Sequence, residues 1–305
     1  MENLVSYIIP CYNSHQTISH CLSSILNQST NYLKEIIVVD SSDNRATKKV
    51  IEDYQNLNIK YFHCAKRLFA GQARNFGITK SSGNFFALID SDIILPKNWT
   101  QIMLDEYNKI EANTSSKVIM SGTIKNATIT KSYLRDSLLL MLSSEYLASN
   151  NIDFRKYLPG CNLFFNKNIK EQVIFPDIAL GEDILMTKKA YSNNIQLILI
   201  GRNIVEHITL KKLHQYSIEL GIASYGLSIN SGKFGKLLLL LKLVFGFIYK
   251  LIKIIYNVIK YRTNRFFKLL FFLPGIIIGS FFFHLGILFG LIRSFNIFLK
   301  QRGEN

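Results

Sequence analysis

The sequence has few cysteines, and none of them is arranged as a metal site or a disulfide framework. Cys11, Cys21, Cys64 and Cys161 are scattered, with no CxxC pair and no histidine at zinc-ligand spacing. This scatter excludes a zinc module and favours a reduced, cytosolic compartment. A chain of 305 residues is long enough to bury a core without cross-links, as one large domain with an appendage or as two small domains.

Residues 1–230 also lack long apolar runs, which excludes a transporter built from many membrane spans. The opening LVSYII has the pattern of a strand. No basic region, apolar stretch or cleavage site marks it as a leader, so no signal peptide is expected.

Acidic residues are nearly absent from the C-terminal part. Residues 231–305 contain 12 Lys and Arg but only Glu304, whereas residues 1–230 contain 24 Lys and Arg against 20 acidic residues. The formal net charge of +15 therefore comes mainly from a segment whose basic residues interrupt apolar runs such as LLLLLKLVFGFIY. Basic residues in so apolar a setting indicate an anionic membrane surface, and no nucleic-acid partner is expected.

The sequence does contain a regular alternation of short β-branched runs and longer helix-compatible segments, which predicts βαβ units. The first four predicted strands are Leu4–Ile9, Glu35–Asp40, Ile59–His63 and Phe85–Asp90. Later the rhythm loosens, with strands predicted near residues 117–124, 162–166 and 196–205 and helices near 97–111 and 133–147. We therefore predict an α/β fold with a mostly parallel nucleotide-binding sheet, flanked by helices and followed by a mixed half.

Two carboxylates end the fourth predicted strand. Alternation along a strand would place Asp90 and Asp92 on one face, within reach of one ion. Oxygen pairs of this kind suit Mg²⁺ or Mn²⁺, which take their remaining ligands from water and substrate phosphates. Because two neighbouring carboxylates repel each other unless a cation offsets them, we favour a metal site over a simple turn.

The other strand ends are weaker signals. Pro10 is expected to stop the first strand and to leave Tyr12 where it could stack on a base, although Asn13 or Ser14 could equally be ordinary helix caps. Asp40 ends the second strand and could accept from a base or a ribose, or form a turn. Composition alone does not decide whether Asp183 caps a helix or faces a cleft as a general base.

Five segments in order across residues 5–207 resemble the family 2 glycosyltransferases of the GT-A fold. The segments are VSYIIPCYN, EIIVVDSSD, AGQARNFGITKSSGNFFALIDSDI, PGCNLFFNK and GED. They correspond to that family's first strand, its acidic turn, the stretch leading into its DxD metal motif, the acceptor-side strand and the catalytic-base turn. Five matches in the right order form a specific signal where any one would be weak.

The resemblance implies a role for each matching residue. Asp183 would be the general base that deprotonates an acceptor hydroxyl, with inversion at the sugar. Asp92, with Asp90 and His207, would hold Mn²⁺ or Mg²⁺. The nucleotide-sugar donor would be bound by Pro10, Tyr12, Asp40, Arg74, Asp90 and Glu182.

Two departures from the family pattern narrow the expectation. Asp40-Ser41 stands where many members carry two adjacent aspartates, which leaves the base preference open. No QxxRW-like motif follows His207, so transfer of a single sugar is expected rather than processive polymerisation. The alternatives are a catalytically inactive membrane-anchored scaffold and a nucleotidyltransferase, although PCYNSHQTI lacks the Gly- and Lys/Arg-rich phosphate loop typical of the latter.

The expected domains are a catalytic domain at residues 1–230 and a membrane-associated tail at 231–305. Within residues 236–261 the polar side chains fall on one side of a helix, which predicts an interfacial amphipathic helix. Residues 269–292 have no formal charge and are long enough to cross a bilayer, as one span or as a hairpin interrupted by Pro274 and His284. A membrane location with the catalytic domain on the cytoplasmic side is expected, with a lipid-linked or cell-envelope glycan as acceptor in polysaccharide biosynthesis.

Overall fold

The computed structural model describes residues 4–54, 58–114, 116–130, 132–146, 151–210, 212–230, 246, 248–249, 251–257, 259 and 266–303. The chain divides into two compact units. The first comprises Met1–Ala127 and Ala148–Ile208, and the second comprises Thr128–Leu147 and Thr209–Asn305. Each unit is described by itself below.

The first unit alternates strands with helices along its N-terminal half, as predicted. Its strands are β1 (Leu4–Cys11), β2 (Leu33–Asp40), β3 (Ile59–His63), β4 (Phe85–Ile89), β5 (Ile93–Ile94), β6 (Val118–Asn126), β7 (Ile152–Arg155), β8 (Asn162–Asn166) and β9 (Gln196–His207). Its α-helices are α1 (Ile18–Leu26), α2 (Ala46–Glu52), α3 (Ala70–Lys80), α4 (Trp99–Thr114) and α6 (Glu182–Ser192), and Lys167–Gln172 is a 3-10 helix.

These strands form one mixed sheet in the order β3-β2-β1-β4-β8-β6-β9-β5, with β7 paired to β9. The strands from β3 to β4 are mutually parallel, and β6 is parallel to β9. The other pairings, including β4 with β8, are antiparallel. The strand order reverses between β1 and β4, which is where open α/β sheets bind their ligands. The predicted combination of a parallel half and a mixed half is confirmed.

The sheet is buried on both faces at β1, β2 and β4, which explains the continuous apolar runs in these three strands. Tyr7, Phe86 and Trp99 are among the largest fully buried side chains. The Tyr7 hydroxyl lies 2.5 Å from Thr100 Oγ1, so this polar group is satisfied inside the core.

The amino ends of the strands are joined by a buried carboxylate, Glu35 on β2. Glu35 accepts hydrogen bonds from the Ser6 hydroxyl, the Lys60 ammonium and both the N–H and the hydroxyl of Ser82. Burial alone would raise the pKa of Glu35, but these donors bring it below its ordinary value. The sequence gives no signal for this network because its members lie on β1, β2, β3 and the α3–β4 turn.

Three details of the strands differ from the prediction. β1 continues through Pro10 instead of ending before it. The backbone groups of successive residues point alternately to the two neighbouring strands, and those of Pro10 point toward β4. The pairing of β1 with β4 ends at Ile8↔Leu88, so no hydrogen bond is lost through the missing N–H of Pro10. β4 ends at Ile89, one residue earlier than predicted. β5 and β7 were not predicted, because strands of two and four residues carry too little periodic pattern to be recognised.

The second unit is helical in its described parts. It contains α5 (Tyr133–Ser143), α7 (Leu213–Asn230) and α8 (Phe266–Gly303), with the 3-10 turns Thr128–Thr130 and Ser144–Tyr146 and helical residues at 251–257. Much of the amphipathic helix predicted for residues 236–261 lies outside the described residues. Residues 266–303 form one continuous helix rather than a hairpin, and Phe271–Ile292 is long and apolar enough to cross a membrane.

Pro274 lies inside α8 without ending it. The Tyr133 hydroxyl of α5 donates to the Phe271 carbonyl at 2.8 Å and accepts from the Gly275 N–H at 3.4 Å. In a regular helix the Phe271 carbonyl would accept from the Gly275 N–H, four residues later, and Pro274 lies between these two residues. The helix therefore continues because a side chain from another helix satisfies the backbone groups beside Pro274.

Candidate active site

Tyr12 follows β1 at the carboxyl edge of the sheet. Its hydroxyl donates to Asp43 Oδ2 at 2.6 Å, and the Arg67 guanidinium lies 4.1 Å from the centre of its ring. The hydrogen bonds from Tyr12 and from the Asn13 side chain lower the pKa of Asp43. The predicted stacking residue is therefore held in place by a cation–π contact and a hydrogen bond before any ligand binds.

Asp40, at the end of β2, is completely buried. Its Oδ1 accepts from the Ser42 N–H at 2.9 Å and from the Ser42 hydroxyl, and its Oδ2 accepts from the Tyr61 hydroxyl at 2.8 Å. These bonds shape the turn that carries Asp43. The predicted contact between Asp40 and a nucleotide base stays a prediction.

Arg74 on α3 joins two acidic segments that are distant in the sequence. Its NH1 lies 2.7 Å from Glu182 Oε1 and its NH2 lies 2.5 Å from Asp90 Oδ1. The Arg74 side chain is only 3% exposed and its guanidinium lies 5.2 Å from the centre of the Phe175 ring. Burial alone would lower the pKa of Arg74, but the two carboxylates raise it, so the residue is a permanent cation at the centre of the site.

The turn after β4 holds the two predicted metal ligands. Asp90 and Asp92 do not alternate along a strand as expected. Residues 91–92 form a turn in which the Ile93 N–H donates to the Asp90 carbonyl at 3.0 Å. The Asp90 N–H donates to the Cys161 carbonyl at 3.0 Å, which ties this turn to the start of β8. The carboxylates therefore point to different partners, since Asp90 meets Arg74 whereas Asp92 meets His207.

β5 explains why His207 reaches this turn. Ile93 pairs with His207 in the antiparallel β5–β9 ladder, and the Ile208 N–H donates to the Asp92 carbonyl at 2.8 Å. His207 Nε2 then lies 3.4 Å from Asp92 Oδ2. The sequence motif alone could not place this histidine, because the two-residue strand β5 brings it there.

The residues present suit a divalent cation in part. Asp92 Oδ1 is buried without a hydrogen-bond partner, as expected for an oxygen that awaits a ligand. Burial raises the pKa of Asp92, with Asp90 adding to the shift and His207 opposing it. Within the described ranges, no three His, Cys, Asp or Glu side chains are grouped as a complete ligand set. A cation held here would therefore need further oxygens from a bound phosphate.

Asp183 lies in the first turn of α6. Gly181, in the left-handed conformation with φ of 83°, precedes this helix and sets its starting angle. Asp183 Oδ2 accepts from the Gly160 N–H at 2.9 Å, and its Oδ1 lies 2.8 Å from the Ile184 N. The carboxylate is thus fixed by two backbone donors, one of them from the loop before β8.

Gly160 is a residue whose importance the sequence did not reveal beyond its place in PGCNLFFNK. A Cβ at this position would lie 2.6 Å from Asp183 Cβ and 3.1 Å from its Oδ2. Only glycine allows the chain to pass this close to the carboxylate. Arg67 and Asp43 were likewise missed. Arg67 lies outside the five recognised segments, and Asp43 ends EIIVVDSSD but was given no role there.

The geometry brings the predicted residues of α3, the β4–β5 turn and α6 into one cluster. Arg74 contacts both Asp90 and Glu182, Glu182 adjoins Asp183, and Asp183 contacts Gly160 next to Cys161. Burial raises the pKa of Glu182, which Arg74 counteracts. Arg74 is therefore a buried cation flanked by carboxylates from the β4–β5 turn and from α6, next to the carboxyl end of β4, which is the edge where open α/β sheets bind their ligands.

The chain belongs to glycosyl transferase family 2, whose profile matches residues 6–172. AglE of Haloferax volcanii, a glycosyltransferase, is 28% identical over 193 residues, which is 61% of this chain and 60% of that protein. WfgD of Escherichia coli, a UDP-Glc:alpha-D-GlcNAc-diphosphoundecaprenol beta-1,3-glucosyltransferase, is 25% identical over 205 residues, covering 66% of this chain and 75% of that protein.

Other relatives match a shorter part. GlyG of Streptococcus pneumoniae is 26% identical over 37% of this chain, and the match spans 38% of GlyG. The crystal structure of S. aureus TarS residues 1–349 in complex with UDP-GlcNAc superposes with a TM-score of 0.51 at 20% identity, covering 73% of this chain and 66% of that one. This likeness confirms the predicted GT-A fold.

Proposed function

We propose that this chain transfers a single sugar, with inversion, from a nucleotide-diphosphate sugar to a hydroxyl of a lipid-linked or cell-envelope glycan. The observation that carries the proposal is the Arg74 bridge, which fixes the Asp90 turn and the Glu182–Asp183 turn in one rigid arrangement. A transferase of this kind needs a group that neutralises the leaving diphosphate and a base that deprotonates the acceptor. We assign the first role to the Asp90 turn and the second to the Glu182–Asp183 turn, which are the two turns that Arg74 joins.

The acceptor side of the reaction is assigned to Asp183. An inverting transfer takes place in one displacement, with a carboxylate accepting the proton of the attacking hydroxyl on the face opposite the leaving group. Gly160 and Ile184 N–H groups orient the Asp183 carboxylate and restrict its motion. Because the carboxylate is already oriented, no free energy is needed to reorient it when the reaction takes place.

The donor side is assigned to the β4–β5 turn. Asp92 would hold Mn²⁺ or Mg²⁺, with Asp90 and His207 as additional candidates. When bound, the cation would neutralise negative charge on the leaving diphosphate. Arg74 keeps Asp90 in place by a bond that does not depend on the cation, and Tyr12 offers a ring for the base of the nucleotide.

The acceptor class and the membrane location are supported from two directions. The name of WfgD describes a diphosphoundecaprenol-linked acceptor, and that protein is similar to two thirds of this chain. The described part of the chain also contains one helix segment, Phe271–Ile292, with the length and composition of a membrane span. We propose attachment through this tail, with the catalytic unit on the cytoplasmic side, where nucleotide sugars are expected.

The first experiment measures nucleoside diphosphate release from UDP-, GDP- and dTDP-sugars with Mn²⁺, using extracted lipid-linked glycans as acceptors. Asp92→Ala and Asp183→Asn are expected to abolish acceptor-dependent release, whereas Asp105→Asn, an exposed aspartate on α4, serves as the matched control. NMR of the product reports the anomeric configuration. Release that persists in Asp183→Asn would refute the assigned base, and retention of configuration would refute the single displacement.

The same experiment distinguishes the alternatives. No release from any donor, with folded protein and acceptor present, would favour an inactive membrane-anchored scaffold. Formation of a nucleotide sugar from a nucleoside triphosphate and a sugar phosphate would favour a nucleotidyltransferase.

A further inference from the structure

Helix α8 has two apolar faces that differ in residue size. The face that is buried within the second unit is dominated by small residues, which are Gly275, Gly279, Ser280, Gly286 and Gly290. Besides Pro274, the exposed face carries large side chains, which are Phe271, Ile277, Ile278, Phe281, Leu288, Phe289, Leu291 and Ile292. We call this second set the outer face of α8.

The small residues are used for close packing between helices of the same unit. A Cβ at Gly286 would lie 2.1 Å from the Ile218 carbonyl oxygen of α7, and one at Gly290 would lie 2.8 Å from the Tyr225 ring. At the other end of the segment, a Cβ at Gly275 would lie 2.2 Å from the Ser137 hydroxyl of α5. The α7 backbone at Ile218 and the α5 side chain of Ser137 therefore approach α8 as closely as glycine permits.

The outer face is continuous along the helix. At 100° per residue its members fall within about 160° of the helix circumference, and the buried residues lie on the opposite side of the helix. Phe271 is 64% exposed and Phe281 is 62% exposed. The exposed members of the outer face are all apolar over a length of about 33 Å, taken from 1.5 Å per residue. Among residues 271–292 the same sector also contains the partly buried His284, whose Nδ1 lies 2.7 Å from the Ser280 carbonyl oxygen.

This arrangement is the reverse of a helix on a water-soluble protein, which turns its large apolar residues inward and its polar residues outward. Small residues inside and large apolar residues outside are typical of helices packed within a bilayer, where lipid is as apolar as leucine. An aqueous monomer rarely exposes so large an apolar surface.

Two observations favour lipid over a second copy of the chain as the occupant of the outer face. The glycines that would allow a close helix dimer are already occupied by α5 and α7, and the outer face offers no small residue for such an approach. The tail also carries 12 Lys and Arg against one acidic residue, a balance that suits anionic headgroups.

We infer that the outer face of α8 contacts the acyl chains of an anionic bilayer, with α5 and α7 as its packing partners on the protein side. The membrane unit is therefore built from two separate segments of sequence, Thr128–Leu147 and Thr209–Asn305, and the first of them interrupts the catalytic unit. After Glu219, α7 contains no charged residue, in keeping with its place beside residues 283–290 of α8. This inference rests on the proposed membrane attachment and is independent of the sugar-transfer chemistry.

Tryptophan reporters test the inference on the full chain. The native Trp99 is fully buried in the first unit and gives a constant background. Phe281→Trp and Phe289→Trp place a reporter on the outer face, and Phe154→Trp, on the exposed β7 strand, is the matched control. Each variant is mixed with phosphatidylcholine–phosphatidylglycerol vesicles, with and without acyl-brominated phosphatidylcholine as quencher. Flotation is measured in parallel.

All variants are expected to float with the vesicles. The added emission of the Phe281→Trp and Phe289→Trp proteins should fall roughly twofold with brominated lipid, and that of Phe154→Trp should not change. Flotation without quenching at residues 281 and 289 would overturn the lipid-facing assignment while leaving membrane attachment intact. Absence of flotation would overturn the attachment itself, and with it the inference. Neither outcome depends on enzymatic turnover.

Discussion

Replacing Gly160 by alanine is expected to displace the candidate base without removing any charge. The added Cβ would lie 2.6 Å from Asp183 Cβ. Since carbon atoms in contact sit at about 3.5–4.0 Å, the two residues must separate by about 1 Å. The new methyl group also crowds Asp183 Oδ2, which the Gly160 N–H holds in place.

The size of the effect follows from this displacement. A misplacement of about 1 Å at a reacting group costs roughly a hundredfold in rate, or about 2.7 kcal/mol in activation free energy. Overpacking at a crowded position should also lower the free energy of unfolding by about 1–3 kcal/mol. The three atoms nearest to the added Cβ all belong to Asp183 and none to the proposed donor-side turn, so donor affinity should stay within about twofold of the wild type.

The assay measures kcat for sugar transfer and, separately, donor binding by calorimetry, at a temperature below the unfolding transition. Gly83→Ala is the steric control, because its Cβ would lie 2.5 Å from the Ser6 hydroxyl, beside the β1–β4 pairing at the amino ends of the strands. This control should lose stability but keep its kcat. Wild-type kcat in a folded Gly160→Ala protein would refute the reasoning, and so would a selective loss of donor affinity.

Three further predictions follow from named contacts. Arg74→Lys should lower turnover more than tenfold and destabilise the protein by about 3 kcal/mol, because one ammonium group cannot bridge both carboxylates. The control is Arg202→Lys. The half-exposed Arg202 side chain forms a comparable 2.5 Å bond to Glu106, and its replacement should cost less than about 1 kcal/mol of stability. Similar melting temperatures for the two variants would contradict this. Tyr133→Phe should lower the stability of the second unit in detergent by about 1–2 kcal/mol, because the Phe271 carbonyl and the Gly275 N–H lose their hydrogen bonds to the hydroxyl. An unchanged melting temperature would show that these hydrogen bonds are dispensable. The pKa of Glu35 is lower in the folded than in the unfolded protein. The carboxylate therefore stabilises the fold above the unfolded pKa of about 4.3, and this contribution disappears as the pH falls through the folded pKa. Urea unfolding should show a loss of stability on acidification, and Glu35→Gln should reduce that loss.

Much of the parallel half was predictable from the sequence, because local pattern and hydrophobic burial act over short distances there. The bounds of β3 and β8 match the prediction, and those of β2, β4 and β9 differ by one or two residues. β2, β4 and β8 each contain a run of buried apolar residues, and the pattern is recognisable in the sequence because the sheet is covered on both faces at these strands.

The sequence also determined which residues to inspect. Asp90, Asp92, Asp183 and Arg74 were selected as strand-end or motif residues, and the fold places all four in one unit. Arg74, Asp90 and Asp92 lie in one continuous segment of 24 residues and Asp183 lies in GED, so a single sequence is sufficient to recognise them.

Only the tertiary structure decided how these residues meet. Arg74 contacts Glu182 across 108 positions in the sequence, Gly160 approaches Asp183 across 23, and His207 reaches Asp92 through a strand of two residues. The spacing of the small residues of α8 can be seen in the sequence, but only the structure decided that α5 and α7 cover them and that the large apolar residues stay exposed. Long-range convergence is fixed by packing of the whole chain, which no local periodicity records.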